Sequence, residues 1–242
     1  MTHPIAHRYA VYLAPEGAWW DRGSAWLGRC AQTGAALPSE APADWTAAPR
    51  LYGLHATLKA PLRLADGADA RELDAALRAL ARRHTPFAVR LGLRRLRGFL
   101  AWCITADETA GRHAMQALAD DAVAFLDPLR APATESELAR RRPEQLPDAE
   151  RAMLMRWGYP YAFDTYRFHI TLSGTLADPA LLAAEQALTA LSAPLSATPM
   201  PASAVSLYVQ PEPGADFLVA RHYGFDGSLR DGAGAAWLPV RS

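Results

Sequence analysis

Two short segments carry the same pattern: HATLK (His55–Lys59) and HITLS (His169–Ser173), with their histidines 114 residues apart. Each reads as a β-strand. Side chains alternate across a strand, so His55, Thr57 and Lys59 share one face while Ala56 and Leu58 share the other. In the second copy His169, Thr171 and Ser173 point together, opposite Ile170 and Leu172. Each strand thus offers an apolar face to a core and a face bearing an imidazole and a hydroxyl.

The flanking order repeats as well. A helix follows the first motif over Asp69–His84, with leucines at 73, 77 and 80 and Asp69 as N-cap. FAVRLGLRRL (Phe87–Leu96) and RGFLAWCITA (Arg97–Ala106) then read as a strand hairpin. The second motif is followed by a helix over Asp178–Leu191, with Asp178 as N-cap and proline at the first helical position. SAVSLYVQ (Ser203–Gln210) and DFLVARHY (Asp216–Tyr223) are strands joined by a turn. The pattern is a long-period duplication, with repeats at about 50–106 and 165–224, rather than a short-period solenoid.

The remaining segments read less regularly. RYAVYLAP (Arg8–Pro15) is a strand with Tyr9, Val11 and Leu13 toward the core. Glu16–Arg50 reads as a helix around Ser24–Gln32 followed by an irregular loop. A helix covers about Ala110–Leu126. Arg130–Arg151 is a polar surface insertion, partly helical, and its run Arg140–Arg142 reads as a solvated loop.

Composition narrows the function classes. Formal charge is +0, so no broad basic face for nucleic acid is evident. The two cysteines, Cys30 and Cys103, form no C-x-x-C pair, which favours a reducing cytoplasm. No basic-then-apolar leader and no membrane-length apolar run is read. The other histidines (His3, His7, His84, His113 and His222) show no metal-ligand spacing, and neither Walker A nor a dinucleotide fingerprint occurs. No metal, cofactor or partner protein is expected. The tryptophans read as core. Of 25 basic side chains a single one is lysine, Lys59.

Two histidines and two threonines facing one cleft suit phosphodiester cleavage. A base activates the attacking oxygen, an acid protonates the leaving oxygen, and hydroxyls donate to phosphoryl oxygens. Histidine serves both proton roles near neutral pH.

In these two motifs the sequence resembles the 2H phosphoesterase superfamily, named for two H-x-[T/S]-x motifs. RYAVYLAP, YGLHATLKAPL and RWGYPYAFDTYRFHITLSG resemble marker segments of its DUF1045 branch, whose genes sit in phosphonate-utilisation operons. The resemblance spans most of the chain. It implies an α+β, bilobal, duplicated (LigT-like) fold over residues 1–242, with two antiparallel sheets lining a central cleft and helices outside. It implies metal-independent hydrolysis of a small cyclic phosphate, such as a ribosyl cyclic phosphate. His55 and His169 become the acid–base pair, with Thr57 and Thr171 on the phosphate. Alternation adds Lys59, Arg167, Tyr12, Ser173, Arg8 and Tyr208 as substrate contacts, with Lys59 marking the cleft's anionic end. RNA 2′,3′-cyclic-end processing and a non-catalytic phosphate-binding module stand as alternatives.

Overall fold

A computed structural model describes residues 5–240; His3 lies outside them. The strands are β1 (Arg8–Leu13), β2 (Ala56–Leu62), β3 (Phe87–Val89), β4 (Leu91–Leu96), β5 (Phe99–Ile104), β6 (Ile170–Thr171), β7 (Met200–Ala202), β8 (Ala204–Gln210), β9 (Leu218–Gly224) and β10 (Leu229–Asp231). The helices are α1 (Ala18–Leu27), α2 (Ala43–Tyr52), α3 (Ala70–Ala81), α4 (Thr109–Leu126), α5 (Glu135–Arg140), α6 (Asp148–Trp157) and α7 (Asp178–Ser192). The fold is α+β, and its strand pairs are antiparallel.

The expected pair of sheets is instead one continuous eight-stranded sheet, ordered β10-β9-β8-β1-β2-β6-β5-β4, with a separate β3-β7 ribbon. The two histidine strands, β2 and β6, pair at its centre through Ala56 and Ile170. The repeats also interlock. The β4–β5 hairpin of the first repeat flanks β6, while the β8–β9 hairpin of the second reaches β2 through β1. The ribbon joins one strand from each repeat, Phe87 facing Ala202.

Apolar alternation places the core. Tyr9, Val11 and Leu13 of β1 join Val205, Leu207 and Val209 of β8 in the main cluster, together with leucines of α3, α4 and α7. Ala10 and Tyr12 point the other way, into a smaller cluster with Ala31, Tyr208 and Phe217. That second face carries the cleft.

Local chemistry explains the element ends. Asp69 caps α3, its carboxylate accepting from the Arg71 and Glu72 amides while the Glu72 carboxylate returns to the Asp69 amide. Arg97 (φ 45°) and Gly98 (φ 89°) form the tight β4–β5 turn, which needs two left-handed residues. Helix α1 starts at Ala18, earlier than expected, and ends where Gly28 takes φ 73°. The expected loop before His55 contains α2. The strand expected over Phe87–Leu96 breaks at Arg90, because β3 leaves the main sheet for the ribbon. For α7 the N-cap is Ala177, one residue before Asp178. Among the described residues no helix is long and apolar enough to cross a membrane.

Candidate active site

The site is built at the β2–β6 junction. Ala56 pairs with Ile170 in antiparallel register. Extending that register one residue each way puts His55 opposite Thr171 and Thr57 opposite His169. Ala56 and Ile170 are fully buried on the core face, so all four neighbours face the other side. Directly opposed side chains lie about 5 Å apart at Cβ. The result is a square with the imidazoles on one diagonal and the hydroxyls on the other. His55, Thr57 and Thr171 line a cavity of about 360 Å³. His169 stands beside Phe99 of that wall, ring centroids 6.0 Å apart.

Both imidazoles are held the same way. His55 Nδ1 lies 2.8 Å from the Gly53 carbonyl, and His169 Nδ1 lies 2.7 Å from the Arg167 carbonyl. A carbonyl only accepts, so each Nδ1 carries the hydrogen. Each Nε2 is thereby left for proton exchange with a ligand. The two-residue reach back to a carbonyl is a second repeat, hidden within the first. Gly53 makes it feasible at β2: its φ of 75° and ψ of 175° belong to a glycine-only region, and a Cβ there would meet the Ala31 Cβ at 2.6 Å.

The surroundings tune the pair. Burial, aided by the charge of His169 and opposed by the bond to Gly53, lowers the His55 pKa to about 4. Burial also lowers that of His169, against the Arg167 carbonyl bond. Tyr12 stacks on His55 at 3.9 Å between centroids with 24° between planes, and Tyr208 supports Tyr12 from behind at 4.9 Å. Across from Thr171 the position equivalent to Tyr12 is Ala101, so only His55 is roofed in this way.

The expected substrate contacts divide. Tyr12 lines the cavity and packs on a histidine. Ser173 also lines it, but its hydroxyl accepts from the Leu100 amide at 2.9 Å and donates to the Gly174 carbonyl at 2.9 Å, fastening β5. Tyr208 is fully buried and donates to the Leu54 carbonyl at 3.0 Å, outside the cavity wall. Arg8 lies at a neighbouring cavity. The Arg167 side chain turns away, donating to the Tyr166 carbonyl at 2.8 Å and lining a different hollow with Arg94 and Arg95. What Arg167 gives the site is its backbone oxygen.

Lys59 requires the largest correction. It is 3% exposed, and its Nζ donates to the Val123 carbonyl at 2.9 Å and to Asp127 at 3.1 Å, under α4. The cause is a β-bulge. Tyr12 pairs with Thr57, but Val11 pairs with Lys59, so β2 inserts an extra residue. Alternation breaks there, Lys59 swings to the core face, and Ala60 takes its place in the cavity wall. The same bulge limits β6 at its start: past Thr57, β2 no longer offers a regular edge to the residues before Ile170.

Sequence patterning missed Tyr52, Phe99, Arg141 and Tyr159, which also line the cavity. Tyr159 shares the cavity wall with Thr57, and burial pushes its pKa up to about 12, with the Arg141 charge and then Thr57 opposing. Arg141, expected in a solvated loop, lies over the Tyr159 ring at 5.4 Å. The available signal was the aromatic run before His169. Among the described residues no three or more His, Cys, Asp or Glu side chains gather as a metal site.

Comparison with known proteins agrees with the resemblance to the DUF1045 branch. Residues 57–218 match the family model described as "Protein of unknown function (DUF1045)". The chain belongs to the DUF1045 family. It is 41% identical over 225 residues to a Laribacter hongkongensis protein named ribose 1,5-bisphosphate phosphokinase PhnN, covering 88% of this chain and 51% of that one. A protein of the same name from Janthinobacterium sp. is 35% identical over 237 residues, covering 91% of this chain and 51% of its own. The chain therefore spans about half the length of the curated relatives it matches. The structure of Kluyveromyces marxianus Usb1 aligns with 89% of this DUF1045 chain and 98% of its own at TM-score 0.36 and 9% identity, too remote to carry an argument.

Proposed function

We propose that the chain is a two-histidine phosphodiesterase of the 2H type, opening a small cyclic phosphate on a phosphorylated sugar such as a ribosyl cyclic phosphate. The observation that carries this reading is the His55–Thr171, Thr57–His169 square with both Nδ1 atoms tied to carbonyls. The phosphorus sits over the square. Thr57 and Thr171 donate to its non-bridging oxygens. His55, roofed by Tyr12 and held neutral, takes a proton from the attacking water. His169 returns a proton to the leaving sugar oxygen from the opposite side. One P–O bond forms and one breaks, and the ring opens to a phosphate monoester and a free hydroxyl.

The relatives' name supplies the substrate class, a phosphorylated ribose, to this proposal. Their kinase chemistry does not map onto these residues. The sole lysine is preceded by Leu58 rather than glycine and is buried under α4, so it forms no phosphate-binding loop.

Phosphorus NMR of the protein with EDTA and a panel of ribosyl cyclic phosphates, 2′,3′-cyclic nucleotides and cyclic-ended RNA tests the reading. His55→Ala and His169→Ala are each expected to lower kcat by about 10²–10⁴-fold. On bis-p-nitrophenyl phosphate, whose leaving group needs no acid, His169→Ala is expected to recover much of its loss and His55→Ala none. Full activity in either variant on the cyclic substrate sinks the acid–base pair, and an absolute metal requirement sinks the metal-free reading.

A further inference from the structure

Beside the histidine cleft lies a second cavity of about 290 Å³, and the two share the wall formed by Tyr52, Pro61 and Arg141. Five arginines from separate parts of the chain line it: Arg8 on β1, Arg63 after β2, Arg130 beyond α4, and Arg140 and Arg141 at the end of α5. One carboxylate, Glu137, stands among them.

The charges do not cancel. Arg63 pairs with Glu137 at 3.3 Å, and Arg130 is tied to Asp127 at 2.7 Å. Arg8, Arg140 and Arg141 make no ion pair with a carboxylate among the described residues. The Arg8 Nε donates to the Gln210 side-chain oxygen at 2.8 Å, and the Arg140 Nε donates to the Ser136 carbonyl at 3.2 Å. The Arg141 side chain lies over the Tyr159 ring. Each of these fixes the side chain without neutralising it. Three uncompensated guanidiniums around a small concavity focus a positive field. Their planar forks match phosphate oxygens.

We infer that this arginine cavity binds a second phosphate of the substrate, a terminal monoester on the sugar whose cyclic diester lies over the histidine square. The shared wall at Arg141 lets one molecule of sugar-phosphate size reach both. The inference rests on the phosphodiesterase reading for which ester is cut, but the anion site stands on its own geometry.

The test compares kcat/KM for adenosine 2′,3′-cyclic phosphate with that for the same cyclic phosphate bearing an added 5′-phosphate. The added phosphate is expected to raise kcat/KM by about tenfold or more. Arg8→Gln with Arg140→Gln is expected to bring that ratio to within about twofold of unity, while Arg83→Gln, at a distant surface pair, keeps it. Equal kcat/KM for both substrates in the unaltered protein overturns the inference. So does a preference for long cyclic-ended RNA with steep salt dependence, which points to a polyanion track. If neither substrate is hydrolysed, calorimetric titration with ribose 5-phosphate against ribose decides the cavity separately, and the phosphodiesterase reading falls only where the ribosyl cyclic phosphates are inert as well. Phosphate-dependent binding lost in Arg140→Gln, an exposed helix-end position, sustains the anion site; binding retained there removes it.

Discussion

At the residue scale the bulge in β2 decides what Lys59 does. On a regular strand it faces the cleft with His55 and Thr57; one inserted residue sends it to Val123 and Asp127 instead. Burial lowers its pKa to about 8, with Asp127 opposing, so at neutral pH the ammonium remains charged in its pair. Lys59→Met keeps most of the stem but leaves the Val123 carbonyl without its donor, and Asp127 falls back on Arg130. The expected cost is about 1–3 kcal/mol in urea unfolding, with kcat on a cyclic phosphate unchanged within about twofold. A large kcat loss at unaltered stability would return Lys59 to the cleft. The two histidines and threonines were readable because strand alternation holds over three residues. Lys59 lies one residue beyond the point where it fails, and a bulge leaves no mark in the hydrophobic pattern of HATLKAPL.

At the scale of elements, the helices and long strands follow apolar periodicity and capping, and α3 with its Asp69 capping box is the clearest case. The segment between α4 and β6 does not, because few of its residues are buried. Leu154 is the buried residue of α6, and α5 has none. Polarity marked this segment as surface, which is true, but its position over the cleft comes from tertiary contacts such as Arg63–Glu137 and Gln116–Phe163. It acts as a wall that presents Arg141 and Tyr159. With a pKa near 12 the Tyr159 phenol keeps its proton in working conditions, a donor beside Thr57 in the cleft wall. Tyr159→Phe preserves the ring under Arg141 and removes that donor. It is expected to lower kcat by about tenfold with little change in thermal midpoint, since one hydrogen bond to a reacting group is at stake. Unchanged kcat would reduce the segment to a cover.

At the scale of the whole molecule, the interlocked repeats make one site and one stability. Neither histidine strand has its flanking hairpin within its own repeat, so the duplication visible in sequence does not foretell two separable lobes. The same burial that shapes the site also sets a common response to acid. His55 and His222 are lowered to about 4, and His7, His84 and His169 are lowered as well, burial being the first cause in each. In the unfolded chain all of them titrate near 6.5. Between 6.5 and their folded values the unfolded state therefore binds more protons, so stability falls as pH drops through this window. The depressed carboxylates Asp127 and Glu137 act only below it, near and under their ordinary range. Urea midpoints are expected to fall steadily from pH 6.5 to 4.5, whereas between pH 7 and 8 the lowered Lys59 pKa gives only a slight rise with pH. His222 makes the contribution separable. It lies outside the cleft, its Nδ1 2.7 Å from the Ser206 hydroxyl and its Nε2 2.6 Å from the Gln32 side-chain oxygen. His222→Gln removes one titrating group, so the slope of stability against pH below 6.5 should flatten by up to about 1.4 kcal/mol per pH unit. For the proposed acid–base pair the same depression sets the working range on the acid side: kcat/KM should peak below pH 6.5, its alkaline limb falling as His169 loses its proton. An optimum above pH 7.5, or a flat urea midpoint down to pH 4.5, would show that these imidazoles are not held neutral by the fold.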